Sequence, residues 1–184
     1  MIEINPDVVM QKFIVSAMEL DKYKAIMDSV RKINVAKDYG FQKTFNGLYR
    51  VRNDEQWRKK YYSLFQKMKS GNATFKEIIE IMYECTGRVE ASFSSKMLAT
   101  LNPEKPIWDQ YVLSNLGLKK PSSTKNEKRL LDSIKTYSEI ETQYIDFMQT
   151  DRAKFCIEKF NAVLPDYVWI SDVKKIDFYL WKNR

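Results

Sequence analysis

The chain has 184 residues, and a hydrophobic content of 44% with 14% aromatic residues is sufficient for a folded core. Lys and Arg outnumber Asp and Glu by 31 to 24, and the resulting net charge of +7 favours anionic partners. Because the chain contains no histidine, Ser–His and Cys–His nucleophiles and most transition-metal sites are excluded.

The first part of the chain predicts helices with a loop after them. Asn5–Pro6 is a typical helix opening, and the apolar period that follows predicts two helices, or one helix bent near Leu20–Asp21. The period fades over Val35–Arg52, where Gly40 and Gly47 interrupt it. We therefore expect a loop there, with a short strand or turn at "GLYRV".

The middle of the chain predicts three helices. Asn53–Asp54 opens a helix that ends at Gly71, and its apolar stripe begins at Trp57. Thr74 begins a capping box for the next helix, which stops at Thr86–Gly87. A third helix, "SFSSKMLATLN", follows after so short a turn that the last two helices are expected to form a hairpin.

The limits of the hairpin's second helix and of the next helix are set by polar residues, glycine and proline. Ser92 or Ser94 is the expected cap of "SFSSKMLATLN", and Asn102–Pro103 its stop. Asp109 is expected to cap "QYVLSNLG", which Gly117 closes. These signals place one lysine near a helix start and one aspartate immediately before the next helix.

The remaining third of the chain predicts three more helices. The stretch 119–125 is the expected mobile connection, and a long helix follows it. Thr150 or Asp151 is expected to cap another helix that ends near Pro165, and Ser171 to cap the last. With about eight helices and no alternating strand, the predicted fold class is all-α, as a single multi-helix domain over residues 1–184. The apolar side of the long helix is expected to contain Leu131, Ile134, Tyr137, Ile140, Tyr144, Phe147 and Met148.

The order of pieces from Thr74 to Leu118, about a quarter of the chain, is helix, hairpin turn, lysine-bearing helix, proline loop and aspartate. The last part reads "P-I-W-D-Q-Y-V-L-S-N-L-G-L". This order resembles the helix-hairpin-helix DNA glycosylase superfamily, in which a P-x-x-D-x-x-V-x-x-x-L-G segment contains the catalytic aspartate. The hairpin turn here, "TGRVEASFSSK", has one glycine and Glu90 where that superfamily has a G-x-G turn that binds a phosphate. The block from Ser92 to Leu113 is also similar to one in small bacterial or phage proteins of unknown function.

The resemblance implies a DNA N-glycosylase in which Lys96 and Asp109 are the catalytic pair. A neutral lysine amine can attack a sugar carbon, and partial burial near a helix start disfavours the charged form of a lysine. The carboxylate of Asp109 could stabilise the positive charge on deoxyribose or orient a water molecule. Such an enzyme flips the base out of the duplex, with Phe93, Trp108 or Tyr111 available to pack against it. For Trp108, however, a place in the core is the better explanation.

A basic segment precedes this motif. Residues 41–69 contain eight basic and two acidic side chains and interleave them with aromatic residues, and 119–129 contain five basic residues and one acidic residue. Arginine and lysine neutralise phosphates, so DNA is the expected partner. The aromatic residues of this segment share one helical face, so we expect them to lie in the core and the basic residues outside. The candidate phosphate contacts are Arg50, Arg52, Arg58, Lys59, Lys60 and Arg88.

The sequence also limits location and cofactors. No uncharged apolar run reaches about 18 residues, and the N-terminal "MIEINPDV" lacks the features of a secretory signal. We therefore expect a cytoplasmic protein without a membrane span, with Cys85 and Cys156 reduced and buried. No cofactor is expected, because no nucleotide, calcium or iron–sulfur motif is present.

A different class of function is also consistent with these features. An aspartate before a helix is most often only an N-cap, and a lysine near a helix start is usually a solvated surface residue. The alternative is therefore a non-enzymatic helical module that binds nucleic acid or a protein partner, as in a phage, a mobile element or a host-defence system. The sequence does not define the oligomeric state.

Overall fold

The computed structural model describes residues 4–15 and 17–183. Within these residues the protein is all-helical, as predicted, with ten α-helices, a 3₁₀ turn at Pro165–Tyr167 and no strand. None of the described helices combines the length and apolar character that a membrane span requires. In chain order the helices are α1 Pro6–Val15, α2 Met18–Val30, α3 Tyr39–Tyr49, α4 Glu55–Met68, α5 Phe75–Thr86, α6 Ala91–Leu101, α7 Gln110–Asn115, α8 Asn126–Met148, α9 Asp151–Val163 and α10 Asp172–Lys182.

The helices fall into two compact units. The central unit, Ala17–Leu101, contains α2 to α6, and the terminal unit contains α1 together with everything from Asn102 onward. In the central unit α2 packs on α3 and α6, and α5 packs on α4 and α6. In the terminal unit α10 packs on α1, α7 and α9. That the whole chain folds as one domain stays a prediction.

The first helix begins where the sequence predicts, but the break after it does not lie near Leu20–Asp21. The backbone N–H of Val8 donates to Oδ1 of Asn5 at 3.3 Å, as expected of a helix opening. The second helix begins already at Met18, with Leu20 N–H and Asp21 N–H both bonded to the carbonyl of Ala17. The polar Asp21 is an exposed position inside α2 and not a helix boundary.

The predicted loop at Val35–Arg52 is wrong over most of its length, because α3 forms there. Asp38 caps this helix by accepting a hydrogen bond from Phe41 N–H at 2.7 Å. Phe41, Phe45 and Leu48 recur at helical spacing and are buried. This burial outweighs the two glycines, each of which costs a helix interior about 1 kcal/mol. The helix ends at Arg50, whose backbone is left-handed with φ +54° and whose N–H bonds to the carbonyl of Asn46.

The core of the central unit is built from aromatic rings. Phe45 is fully buried, and its ring centroid lies 4.7 to 6.0 Å from five other rings. Tyr61 and Tyr62 of α4 lie in the same cluster, and burial raises the pKa of both phenols. Tyr62 donates its hydroxyl to Oδ1 of Asn46 at 2.6 Å. The rings around Phe45 are those of Phe41, Tyr49, Tyr61, Tyr62 and Phe65.

Most of the predicted caps are confirmed. Asp54 accepts from Trp57 N–H at 2.8 Å, Thr74 from Glu77 N–H at 3.2 Å, and Thr150 and Ser171 cap α9 and α10. The predicted hairpin also forms, because α5 ends at a left-handed Gly87 and α6 begins at Ala91 and packs on α5.

The predicted cap of α6 is wrong. The helix begins one residue before Ser92, and the N–H of Ser94 bonds to the carbonyl of Glu90. Ser92 is therefore in the first turn of α6 and not at its cap. Along α6 every residue from Ser94 to Leu101 is buried.

The long helix α8 contributes its predicted apolar face with one exception. Tyr137, Ile140, Tyr144 and Phe147 are buried and Ile134 and Met148 are half-buried, whereas Leu131 is 65% exposed. The buried position nearest to it is occupied by Ser133, whose hydroxyl bonds to a backbone carbonyl of α8. The apolar face therefore begins about one turn later than the sequence predicts.

Candidate functional site

Lys96 lies on the sixth position of α6 and is only 8% exposed. Its Nζ donates to the hydroxyl oxygen of Ser92 at 2.8 Å. The same nitrogen lies 5.2 Å from the ring centroid of Phe93 and 5.9 Å from that of Tyr49. The amine is thus placed by one hydroxyl and two aromatic faces, a setting that differs from a solvated surface lysine.

Residues of α4 and of the hairpin turn fix the start of α6. The indole of Trp57 stacks on the ring of Tyr61 with 4.9 Å between the ring centroids, and it contacts Phe93 edge to face with a centroid distance of 5.0 Å. Tyr61 donates its hydroxyl to the carbonyl of Phe93 at 3.0 Å, and Trp57 donates its Nε1–H to Glu90 at 3.1 Å. These bonds explain why the turn contains a carboxylate, since Glu90 anchors the hairpin to α4.

Asp109 caps α7, as predicted. Its Oδ1 accepts a hydrogen bond from Tyr111 N–H at 2.9 Å, and the residue is half-buried. Lys96 belongs to the central unit and Asp109 to the terminal unit, so their joint action stays a prediction. Trp108, next to Asp109, is 3% exposed, which confirms its interpretation as a core residue.

The loop that leads to Asp109 is held by side chains that sequence reasoning missed. Ser171, the cap of α10, donates its hydroxyl to the carbonyl of Pro103 at 2.7 Å. Tyr137 of α8 donates to the carbonyl of Pro106 at 2.8 Å. Lys105 forms an ion pair with Glu141 at 2.8 Å. The loop therefore has little freedom of its own, although it has no regular secondary structure.

Asp177 of α10 forms a further bond to this loop and is the centre of a buried polar cluster. Its Oδ1 accepts from Ile107 N–H at 3.1 Å and from the hydroxyl of Tyr144 at 2.6 Å. Its Oδ2 lies 3.4 Å from Nζ of Lys174, and both members of this ion pair are 3% exposed. Burial raises the pKa of Asp177, while Lys174 and the hydrogen bonds act against that rise. Burial and the charge of Asp177 raise the pKa of Tyr144.

The predicted phosphate contacts all lie in the central unit. Arg50, Arg52, Lys59, Lys60 and Arg88 are exposed, and Arg58 is half-buried. Lys60 donates to the carbonyl of Cys85 at 2.7 Å, which brings the basic side of α4 to the end of α5, three residues before Arg88. The arrangement confirms that this segment turns its aromatic rings inward and its charges outward.

The net charge is divided unequally between the units. The central unit has 16 basic and 10 acidic residues, and the rest of the chain has 15 basic and 14 acidic residues. Almost all of the surplus positive charge is therefore in the unit that contains Lys96. The basic stretch 119–129 belongs to the terminal unit, where Lys119, Lys120, Lys125 and Lys128 are exposed.

The two thiols differ from expectation in one case. Cys156 is buried, and burial raises its pKa, whereas Cys85 is exposed at the end of α5. Among the residues that the structure describes, no group of acidic or cysteine side chains is arranged to hold a metal ion.

Comparisons with protein-family models, with curated proteins and with solved structures give no match to this chain. The class that the structure defines is an all-α protein with a buried lysine between aromatic rings in one unit and a helix-capping aspartate in the other. The resemblance to the glycosylase superfamily rests on the residues between Thr74 and Leu118 alone.

Proposed function

We propose that the protein binds DNA through the basic surface of the central unit and removes a base, with Lys96 as nucleophile and Asp109 as the stabilising carboxylate. The observation that carries the proposal is the setting of Lys96. Lys96 is nearly buried, bonded to Ser92 and flanked by two rings. A lysine whose only role is to be solvated at the surface needs none of these contacts. Lys96 lies in the unit with the positive surplus, which favours encounter with a polyanion.

The proposed reaction is a nucleophilic displacement at the sugar. The neutral amine of Lys96 forms a bond to C1′ while the bond between C1′ and the base breaks. The bonding electrons leave with the base, and the proton that the positively charged nitrogen of the adduct releases passes to the base through water. The carboxylate of Asp109 stabilises the positive charge that develops on the deoxyribose.

Opening of the sugar ring then gives a Schiff base between Lys96 and C1′, and water hydrolyses it to release the enzyme. Phe93 is half-buried and adjacent to the amine, so its ring is the proposed contact for the flipped base. Trp108 has no such role, because it is buried.

A second candidate is a non-enzymatic module that binds nucleic acid or a protein. Two observations favour it. The carboxylate of Asp109 is already used as the cap of α7, and the hairpin turn contains Glu90, whose charge opposes a phosphate at that place. In this alternative Lys96 serves the packing of α6 on its neighbours.

Reduction with borohydride separates the two candidates, because it converts a lysine Schiff base into a stable covalent adduct. Duplexes containing a panel of damaged bases are incubated with the wild-type protein, with Lys96→Gln and with Lys76→Gln. The control Lys76 is an exposed lysine of α5 in the same unit. Trapping by the wild type and by Lys76→Gln, but not by Lys96→Gln, is the expected result.

Two other outcomes contradict the enzymatic proposal. A covalent adduct that persists in Lys96→Gln, or base release without any adduct, removes the nucleophilic role of Lys96. Absence of both base release and adduct, together with DNA binding that weakens steeply with salt, identifies the binding module instead.

A further inference from the structure

The segment between Asn102 and Asp109 is irregular in backbone but fixed at several points within the terminal unit. Two of these points are buried and adjacent in sequence: the carbonyl of Pro106 accepts from Tyr137, and the N–H of Ile107 donates to Asp177. Neither bond involves Asp109 itself. Both lie two or three residues before it, so they determine the direction from which the chain enters α7.

The carboxylate of Asp177 is itself held by two side chains. Tyr144 donates to Oδ1 at 2.6 Å, and Lys174 approaches Oδ2 at 3.4 Å. Lys174 is fixed in turn, since its Nζ lies 5.1 Å from the ring of Phe178 and its backbone N–H bonds to Ser171. Helices α8 and α10 therefore define the position of the oxygen that receives Ile107 N–H.

A contribution to stability alone does not account for this cluster. A buried ion pair is generally no more stabilising than well-packed apolar side chains of the same volume, because both charges lose their hydration. What apolar side chains could not do is accept a hydrogen bond from the main chain of the loop. The specific consequence of Asp177 is thus the geometry of the backbone before α7.

We propose that Asp177 is the positioning residue for Asp109: its carboxylate fixes the backbone at Ile107 and thereby the direction of the Asp109 side chain at the start of α7. The inference rests on the proposed function for its catalytic meaning, since Asp109 is the carboxylate of that proposal. Its structural part is independent of any activity. Asp177 touches neither Asp109 nor substrate in this role.

Amide hydrogen exchange tests the structural part in Asp177→Asn. The N–H of Tyr111 bonds to the side chain of Asp109 and has no bond to Asp177, so its exchange reports whether the cap is still held. We expect exchange at Ile107 and at Tyr111 to accelerate by on the order of tenfold, because a charge-assisted bond is weakened. Asp146→Asn, an exposed carboxylate on α8, is the matched control and should leave both rates unchanged.

The Tyr111 amide decides the outcome. Faster exchange at Ile107 with unchanged exchange at Tyr111 would overturn the inference, since Asp177 would then hold the loop without positioning Asp109. Should Asp177→Asn fail to fold, Tyr144→Phe removes one donor to the carboxylate and keeps the Ile107 bond. It should accelerate the same two amides by a smaller factor, and unchanged rates there would equally overturn the inference.

Single-turnover base release tests the catalytic part by a double-mutant comparison. We expect Asp177→Asn to slow release about tenfold at unchanged DNA affinity, and to have no further effect in an Asp109→Asn background. Equal slowing in both backgrounds indicates a general structural effect and contradicts positioning. If the wild type itself releases no base, the proposed function fails, while the Tyr111 exchange result still decides the role of Asp177.

Discussion

The central and terminal units differ in where they place charged side chains. The central unit buries aromatic rings around Phe45 and leaves a surplus of positive charge outside, with Lys96 as its one buried charged residue among those described. The terminal unit is nearly balanced in charge and buries charged groups along α10. These are Lys174, Lys175, Asp177 and Lys182.

The difference separates two uses of charge. Unpaired positive charge at a surface acts over a distance of about a Debye length, roughly 8 Å at physiological salt, and therefore attracts polyanions without a fixed geometry. A buried carboxylate such as Asp177 acts only on the groups that it touches, but it determines their positions closely. The proposed function accordingly assigns DNA binding to the central unit, and the further inference assigns positioning of the loop before α7 to the terminal unit.

The largest expected effect concerns the aromatic core. Phe45→Ala removes a fully buried ring that five others surround, and we expect the free energy of unfolding to fall by about 4 kcal/mol. Tyr39→Ala on the same helix changes a side chain that is 78% exposed and should shift the value by less than about 0.5 kcal/mol. Urea unfolding of both variants measures the difference. Similar losses would show that the ring cluster is not the core of this unit.

The buried charges of the terminal unit should give the next largest effect. Lys174→Met leaves the carboxylate of Asp177 without its cation, and we expect a loss of about 3 kcal/mol near neutral pH. Lys135→Met removes an exposed lysine that lies 4.0 Å from Glu139, and its cost should stay below about 1 kcal/mol.

The pH dependence of the Lys174→Met effect follows from the raised pKa of Asp177. A carboxyl whose pKa is higher in the folded than in the unfolded state favours folding below its unfolded value of 3.8, and this contribution is lost as pH rises through the folded pKa. The loss in free energy of unfolding caused by Lys174→Met should therefore become smaller as the pH falls through the folded pKa of Asp177, because the carboxyl becomes neutral. Unfolding titrations at several pH values measure it, and a penalty independent of pH would argue against an ionised Asp177.

The surface charge of the central unit should have a smaller effect, visible in binding alone. Replacing Arg52 and Lys59 by alanine should make DNA affinity less sensitive to salt. The plot of log affinity for DNA against log salt concentration should become less steep by about 1 for each of the two side chains that contacts a phosphate. Lys135→Ala with Lys154→Ala removes the same charge from exposed positions of the terminal unit. Equal slopes for the two double variants would show that net charge matters and its location does not.

The smallest expected effect is on thiol accessibility. Cys85 is exposed near Lys60, whereas Cys156 is fully buried and burial raises the pKa of its thiol. One thiol should therefore react rapidly with a maleimide and the second only on unfolding. If DNA covers the basic side of α4, bound DNA should slow modification of Cys85. Rapid modification of both thiols in the native protein would contradict the packing of α9.

Helix boundaries were predictable where a single polar side chain determines them. Asp54, Thr74, Thr150 and Ser171 all bond to the backbone N–H three residues later, and these bonds are local enough to be inferred from spacing. Asp109 belongs to the same group, although its bond reaches two residues along the chain.

Helix α3 was not predictable from the same rules. Two glycines dominate the local pattern of α3, while its burial depends on packing against α2 and on the α4 rings around Phe45. Intrinsic preference is a weak guide wherever tertiary packing supplies most of the helix stability.

The candidate site was predictable only as single residues. Lys96 was found by its place after the hairpin, but its burial was not, because a helix buried on nearly every face has no amphipathic pattern. The role of Asp177 depends on bonds to residues 33 and 70 positions away. No spacing rule connects such distant positions, so the cluster becomes visible only in three dimensions.

Arg50 gives a last consequence of the fold. Its left-handed backbone at the end of α3 is one that glycine adopts freely and that costs other residues about 1 kcal/mol. Arginine at that position therefore lowers the stability of the folded state, and at the same time it adds a positive charge to the basic surface. Arg50→Gly should raise the melting temperature and, on the proposed function, weaken DNA binding.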